Sequence, residues 1–290
     1  MTDRVATTVG LFPSPEGSTA EQAREAGVDA QRGAGIDHVV EGQAGWSDLT
    51  APLARHDAVE QGEDGLRIEG ELTPTGTLAA EHAAAAALLT PEESLHAVVP
   101  GPYTLARRTD RGADALAPIT DYLAGEVAAL PDHGTLSILD PALVTDPPGD
   151  GVDARASEAI DTLAGASGAD TVLQTWGAAY EEKPYAHLMD ADVDAFAFDF
   201  VAGDRETHLY NVTEFGTKDS VALGLVDARD PDLEDPGTVA DRVDWVLGRI
   251  PSQTFETAYI VPNGGLASLP TPAFREKLAA LAGAVVAPSE

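Results

Sequence analysis

Apolar residues fall into short continuous runs along this chain, separated by longer alanine-rich segments with helical spacing. The run over residues 5–12 is rich in β-branched side chains and stops at Pro13 and Pro15, which predicts a first strand. Residues 18–34 predict a helix, with Ser18 as cap, Glu21 three positions on, and a stop near Gly33 and Gly35. Residues 36–40 predict a second strand, ending in Glu41-Gly42-Gln43. Residues 46–54 read as a short helix. Residues 65–72 alternate, as an exposed hairpin or loop strand does.

The rest of the chain repeats the same grammar. Helices are predicted over 77–89, 113–130, 153–167, 182–190, 238–249 and 273–284, with a helical turn over 204–210. Strands are predicted over 95–99, 136–139, 171–174, 195–198, 220–226 and 257–261, and residues 147–152 are loop. Most strand runs lack polar alternation, as in a sheet buried on both faces. About eight strand-then-helix steps in 290 residues fit one (β/α)8 TIM barrel over 1–290, with a doubly wound open sheet as the runner-up. No GxGxxG follows the first strand, and GxxxxGK[ST] does not occur, which lowers the nucleotide-binding form of that alternative.

A barrel places its chemistry at the C-terminal ends of its strands. The residues there are Glu41, Asp140, Thr175, Trp176, Gly177, Asp199, Asp227, Asn263 and Gly264. Glu41 and Asp140 are candidates to hold an amino group of a ligand, or are loop and cap residues. Asp199 is a candidate ligand or a helix cap. Trp176 stacks on a flat ring or packs in the core. Asn263 hydrogen-bonds a ligand or serves the turn before Gly264-Gly265. Asp227 orients a pocket group. Arg107-Arg108 meet a carboxylate tail or end a helix in solvent.

Composition narrows the class. The chain carries 49 acidic against 17 basic residues, a formal net charge of −32, and only three lysines: Lys183, Lys218 and Lys277. The acids are spread evenly, which argues for a halophilic, acidic surface in a salt-rich cytoplasm. At ~1 M salt the Debye length is about 3 Å, so such a surface is screened from its own repulsion. Nucleic acid is excluded as a partner, because phosphate contacts need clustered Lys and Arg. No apolar run reaches the ~18 residues of a membrane helix, and the first residues lack a signal-peptide core; a cytoplasmic location is expected. With no cysteine, disulfides, thiol nucleophiles and cysteine-bearing zinc sites are ruled out.

Several segments, in order, resemble cobalamin-independent methionine synthase and its archaeal relatives, in the superfamily that includes uroporphyrinogen decarboxylase. They are Thr7-Thr8-Val9-Gly10-Leu11-Phe12-Pro13, Val39-Val40-Glu41-Gly42-Gln43 with Trp46, Pro100-Gly101-Pro102-Tyr103-Thr104-Leu105, Ile138-Leu139-Asp140-Pro141-Ala142-Leu143, Gly224-Leu225-Val226-Asp227 and Pro262-Asn263-Gly264-Gly265-Leu266. The resemblance implies methyl transfer from a methyl-folate donor to homocysteine sulfur, with zinc as the family's metal. It also implies that the zinc-ligand positions fall at Thr175, Gly177, Asp199 and Gly264, where three of the four ligands are gone. The seven histidines show no paired ligand spacing that replaces them. The chain is more similar to the family's metal-less N-terminal barrel, through Asp199-Phe200-Val201-Ala202-Gly203 and Gly264-Gly265-Leu266-Ala267-Ser268-Leu269-Pro270.

No metal is therefore expected on this chain. The leading expectation is a zinc-less accessory subunit of methionine biosynthesis, working with a zinc-bearing methionine synthase-type catalytic subunit and binding a folate- or homocysteine-like ligand. A stand-alone methyltransferase, a non-catalytic small-molecule binding barrel and, last, a decarboxylase of the uroporphyrinogen type are the alternatives.

Overall fold

In the computed structural model, which describes residues 2–63, 65–250 and 254–286, the apolar runs become strands. They are β1 (Asp3–Ala6), β2 (His38–Val40), β3 (Val59–Gln61), β4 (Leu66–Ile68), β5 (Ser94–Pro100), β6 (Thr135–Leu139), β7 (Asp170–Gln174), β8 (Ala195–Asp199), β9 (Ser220–Val226) and β10 (Thr257–Pro262). Eight of them form one sheet in the order β1-β10-β9-β8-β7-β6-β5-β2, with every pair parallel. Helices flank the strands, and the sheet curls into a nearly closed (β/α)8 barrel, so the open-sheet alternative is set aside.

The two end strands meet at a seam without a ladder of their own. The N–H of Asp37 donates to the carbonyl of Ala6 at 3.0 Å, and the N–H of Ala6 donates to Oδ2 of Asp37 at 2.8 Å. The hydroxyl of Thr7 donates to the carbonyl of His38 at 2.8 Å. The antiparallel hairpin β3–β4 lies outside the sheet; β4 falls in the alternating stretch 65–72, while its partner β3 lies before it and was not foreseen.

Side-chain size explains the layering. Along a strand, successive side chains point to opposite faces. In β8, Ala195 and Ala197 cluster with Val5, Val172, Ala222, Tyr259 and Val261, while Phe196 and Phe198 join the large core shared with the helices. In this strand the small residues thus face the interior, beside Tyr259 of β10, and the aromatic ones face the helices. Asp199 keeps the phase of Ala195 and Ala197, which places it at the C-terminal rim of the interior.

Lower in the barrel, a polar layer crosses the interior. Nδ1 of His96 lies 2.7 Å from the Thr7 hydroxyl, and its Nε2 lies 2.8 Å from the Ser137 hydroxyl. Because Thr7 spends its one proton on His38, it accepts from His96, so His96 is the neutral Nδ1–H tautomer. Burial drives the His96 pKa down to about 3, in keeping with a neutral ring.

Some boundaries differ from the expectations. The first strand stops at Ala6 rather than running through 5–12, because Gly10 and Leu11 take φ of 77° and 52°, which no strand contains. The first helix, Ala20–Ala34, is capped by Thr19 in a reciprocal box with Gln22. Ser18, expected to cap it, instead donates to the carbonyl of Pro15. The helix expected over 113–130 is a 3₁₀ turn, Gly112–Ala115, followed by Leu116–Ala128. The turn expected over 204–210 is a helix of 11 residues, Arg205–Phe215, capped by Asp204. Two short helices, Pro102–Ala106 and Ala142–Thr145, were not foreseen.

Candidate functional site

The strand ends gather the expected residues at one rim, but most of them are already engaged with the protein itself. Asp199 is the clearest case. Its Oδ1 accepts the N–H groups of Val201 and Ala202 at 2.9 and 2.8 Å. Its Oδ2 accepts the N–H of Gly177 at 2.8 Å and the amide of Asn263 at 3.4 Å. A carboxylate offers about four lone-pair positions, and here all four are in use. The side chain is 1% exposed and ties the ends of β7, β8 and β10 together.

Asn263 and Asp227 belong to the same lattice. Oδ1 of Asn263 accepts the N–H of Ala228 at 2.8 Å, while its own N–H donates to Val226. Oδ1 of Asp227 accepts the N–H groups of Arg229 and Asp230, closing the loop after β9. The N–H of Asp227 donates to Glu234 at 2.8 Å, and Glu234 pairs at 2.7 Å with Lys277 on the helix Thr271–Val286. Lys277 is fully buried and also donates to the carbonyl of Asp232.

Asp140 and Glu41 are also structural in their contacts. Asp140 accepts the N–H groups of Tyr103 and Thr104 and the Thr104 hydroxyl, at 3.0, 2.7 and 2.5 Å. It therefore caps the short helix after β5. Burial pushes its pKa up to about 7 against those hydrogen bonds. Glu41 is ion-paired at 2.7 Å with Arg24 and accepts the N–H of Ala44. Burial raises its pKa, and Arg24 opposes that rise. Arg107 pairs with Asp146 at the exposed end of its helix.

What remains open at the rim is a smaller set. Trp176 is half-buried, and a side chain on Gly264 would begin 3.4 Å from its ring. Gly177 has φ of 94°, and a side chain there would begin 3.2 Å from Thr145 and 3.8 Å from the guanidinium of Arg229. Gly264 thus leaves room beside the indole, and Gly177 leaves room beside Thr145 and the Arg229 guanidinium.

Two features were missed by sequence reasoning. Gln43 accepts the N–H of Leu11 at 2.8 Å, but its buried amide nitrogen has no partner. Both Gln43 and Leu11 hold positive φ, at 51° and 52°. Non-glycine residues in that region carry strain of about 1–3 kcal/mol, and such strain gathers at binding sites. The motif Glu41-Gly42-Gln43 was the available signal; its glycine sits at φ 88° against Phe12. The second feature is His208, buried between Phe198 and Phe200. Its Nε2 lies 3.1 Å from the carbonyl of Asp199, and burial brings its pKa down to about 4. No sequence spacing marks that contact.

No family model matches the chain, and no curated protein matches it. Solved structures do. A B12-independent methionine synthase from Shewanella sp. W3-18-1, in complex with selenomethionine, is similar over 97% of this chain and 96% of its own, at 15% identity and TM-score 0.78. A candidate vitamin-B12-independent methionine synthase from Listeria monocytogenes is similar over 98% and 97%, at 15% identity and TM-score 0.74. At that identity the likeness is one of fold: the chain has a methionine synthase-like barrel.

The four positions aligned by resemblance with zinc ligands do not fit the metal. Zinc takes three or four His, Cys or carboxylate donors in tetrahedral array. Gly177 and Gly264 offer no side-chain donor. The Thr175 hydroxyl donates to the carbonyl of Ala197 at 3.3 Å, and Asp199 has no lone pair left. Among the described residues, no group of three or more His, Asp and Glu is placed to hold a metal ion.

Proposed function

We propose that this chain is a zinc-less methionine synthase-like barrel of methionine biosynthesis, acting beside a zinc-bearing barrel that carries out the methyl transfer. The observation that carries this reading is the use of Asp199. In the resemblance it is the one surviving ligand position, and here its lone pairs bind three backbone N–H groups and one amide. Evolution away from metal binding leaves such a lattice; a working zinc site keeps its carboxylate available.

A free thiol has a pKa near 8.5 and is mostly protonated at neutral pH. Without a cation to hold the thiolate, homocysteine is a weak nucleophile, and no described donor set on this chain supplies one. The chain's own residues are left with binding and orientation. Trp176 offers a flat face, Arg229 a carboxylate partner, and the Gln43 amide a spare donor. The Shewanella protein holds selenomethionine; a small amino acid or a folate-like ring with a carboxylate tail is the ligand class proposed for this rim. The acidic surface fits a salt-rich cytoplasm as the setting.

The test is methyl transfer from methyl-folate to homocysteine, measured with this chain alone, with a cysteine-bearing homologue alone, and with both. No turnover by this chain, and a faster rate for the mixture, is the expected result. Turnover by this chain alone overturns the proposal in favour of a stand-alone methyltransferase. Ligand binding with no effect on the homologue overturns it in favour of a non-catalytic binding barrel.

A further inference from the structure

A second cleft lies on the outer flank of the barrel, between the helix Arg205–Phe215 and the helix Pro236–Leu247. It has two lobes. One, of about 250 Å³, has an apolar floor of Phe200, Leu225, Trp245 and Val246. The other, of about 280 Å³, lies under the loop after β9. Arg205 and Arg242 line both lobes and form the waist between them.

These two arginines are held in place by the main chain rather than by acids. Nε of Arg205 donates to the carbonyl of Phe200 at 2.9 Å, and Nη1 of Arg242 donates to the carbonyl of Leu225 at 2.6 Å. Among the described residues neither forms an ion pair within 4.0 Å, although acids outnumber basic residues 49 to 17 in the chain. Three of the four carboxylates that line the second lobe have other duties, and the fourth, that of Asp232, is exposed. Asp227 binds the N–H groups of its own loop, Asp230 binds the N–H of Asp232, and Glu234 binds Lys277 and the N–H of Asp227. Among the described residues the exposed Asp241, which lines the first lobe, forms no ion pair. Arg205 and Arg249 also lie over the Trp245 ring, at 5.9 and 4.1 Å from its centre, which keeps the indole fixed.

A guanidinium presents five N–H donors in a planar fork that matches a carboxylate. Here each of the two spends one donor on a carbonyl, and each has others left. Lining the same two lobes next to an apolar floor, they fit an anionic group carried on an apolar body. We infer that this cleft binds a small aryl or branched aliphatic carboxylate, with its carboxylate between Arg205 and Arg242 and its body against Phe200, Leu225 and Val246. The inference does not depend on what the barrel rim binds.

The absence of cysteine makes the test local. Thr238 lines the apolar lobe and is exposed, so T238C places the chain's only thiol there. In the full-length protein, saturating 4-fluorobenzoate slows alkylation of that thiol by iodoacetamide several-fold, while neutral 4-fluorobenzamide does not. Adding R242Q or R205Q removes the protection. Arg205 lies on an exposed helix end, so R205Q keeps the test open if R242Q fails to fold. No protection, equal protection by the amide, or protection that survives both arginine changes overturns the inference.

Discussion

The Oδ2 of Asp199, at the end of β8, accepts the backbone N–H of Gly177, beyond the end of β7, at 2.8 Å. That bond joins two positions at which the sequence resemblance implies metal ligands. It turns them into a strut between neighbouring strand ends. Asp199→Ala leaves the N–H groups of Gly177, Val201 and Ala202 without their acceptor. A buried unsatisfied group costs about 1–3 kcal/mol; Gly177 and Val201 are half-buried and Ala202 is exposed, so a loss of about 1–3 kcal/mol in total is expected in urea unfolding. A change within experimental error shows that the lattice is not what holds the rim.

Lys277 and Glu234 form the second strut. Removing one partner of a buried ion pair typically costs about 3–5 kcal/mol. Lys277→Met is expected to fall toward that range, because Glu234 keeps partial access to solvent, its side chain being 11% exposed. The same change frees the loop that carries Asp227. Hydrogen exchange at residues 227–235 is the readout, and it rises if Lys277 anchors this loop.

His96 gives the pH dependence. Its folded pKa of about 3 lies below the ordinary value near 6.5. The folded state therefore binds fewer protons than the unfolded chain between those values. Stability is present above pH ~6.5 and is lost as the pH falls toward 3. His208, brought down to about 4 by burial, acts with the same sign. Urea unfolding of the native protein and of His96→Gln across pH 7 to 4 measures the contribution of this ring. The variant is expected to show a shallower acid slope, and an identical slope refutes the assignment.

The net charge of −32 predicts a salt response. Screening at ~1 M salt shortens the Debye length to about 3 Å and removes most of the self-repulsion. The melting temperature is expected to climb from low salt to ~1 M KCl. A flat profile argues against adaptation to salt.

The barrel was legible in the sequence because its strands are buried on both faces and its helices carry clear breaks. The run 220–226 coincides with β9 for that reason. Boundaries failed where a single backbone angle decides them, as at Leu11, or where two cap residues adjoin, as at Ser18 and Thr19. The rim residues were legible as positions but not as roles. Asp140 and Asp199 look alike in sequence, each a carboxylate after an apolar run. What each one binds depends on loops that only meet once the barrel closes: Tyr103 and Thr104 for one, Gly177 and Asn263 for the other. Gln43 and His208 escaped for the same reason, since their partners are set by the closed barrel rather than by sequence spacing.

The most direct measurement is the zinc content of the protein purified in high salt without chelator. Zinc no higher than the buffer background is expected, because two of the four aligned positions carry no side-chain donor and Asp199 is saturated. One zinc per chain, removed by chelation and restored by added metal, contradicts the reading and returns a stand-alone methyltransferase to the front.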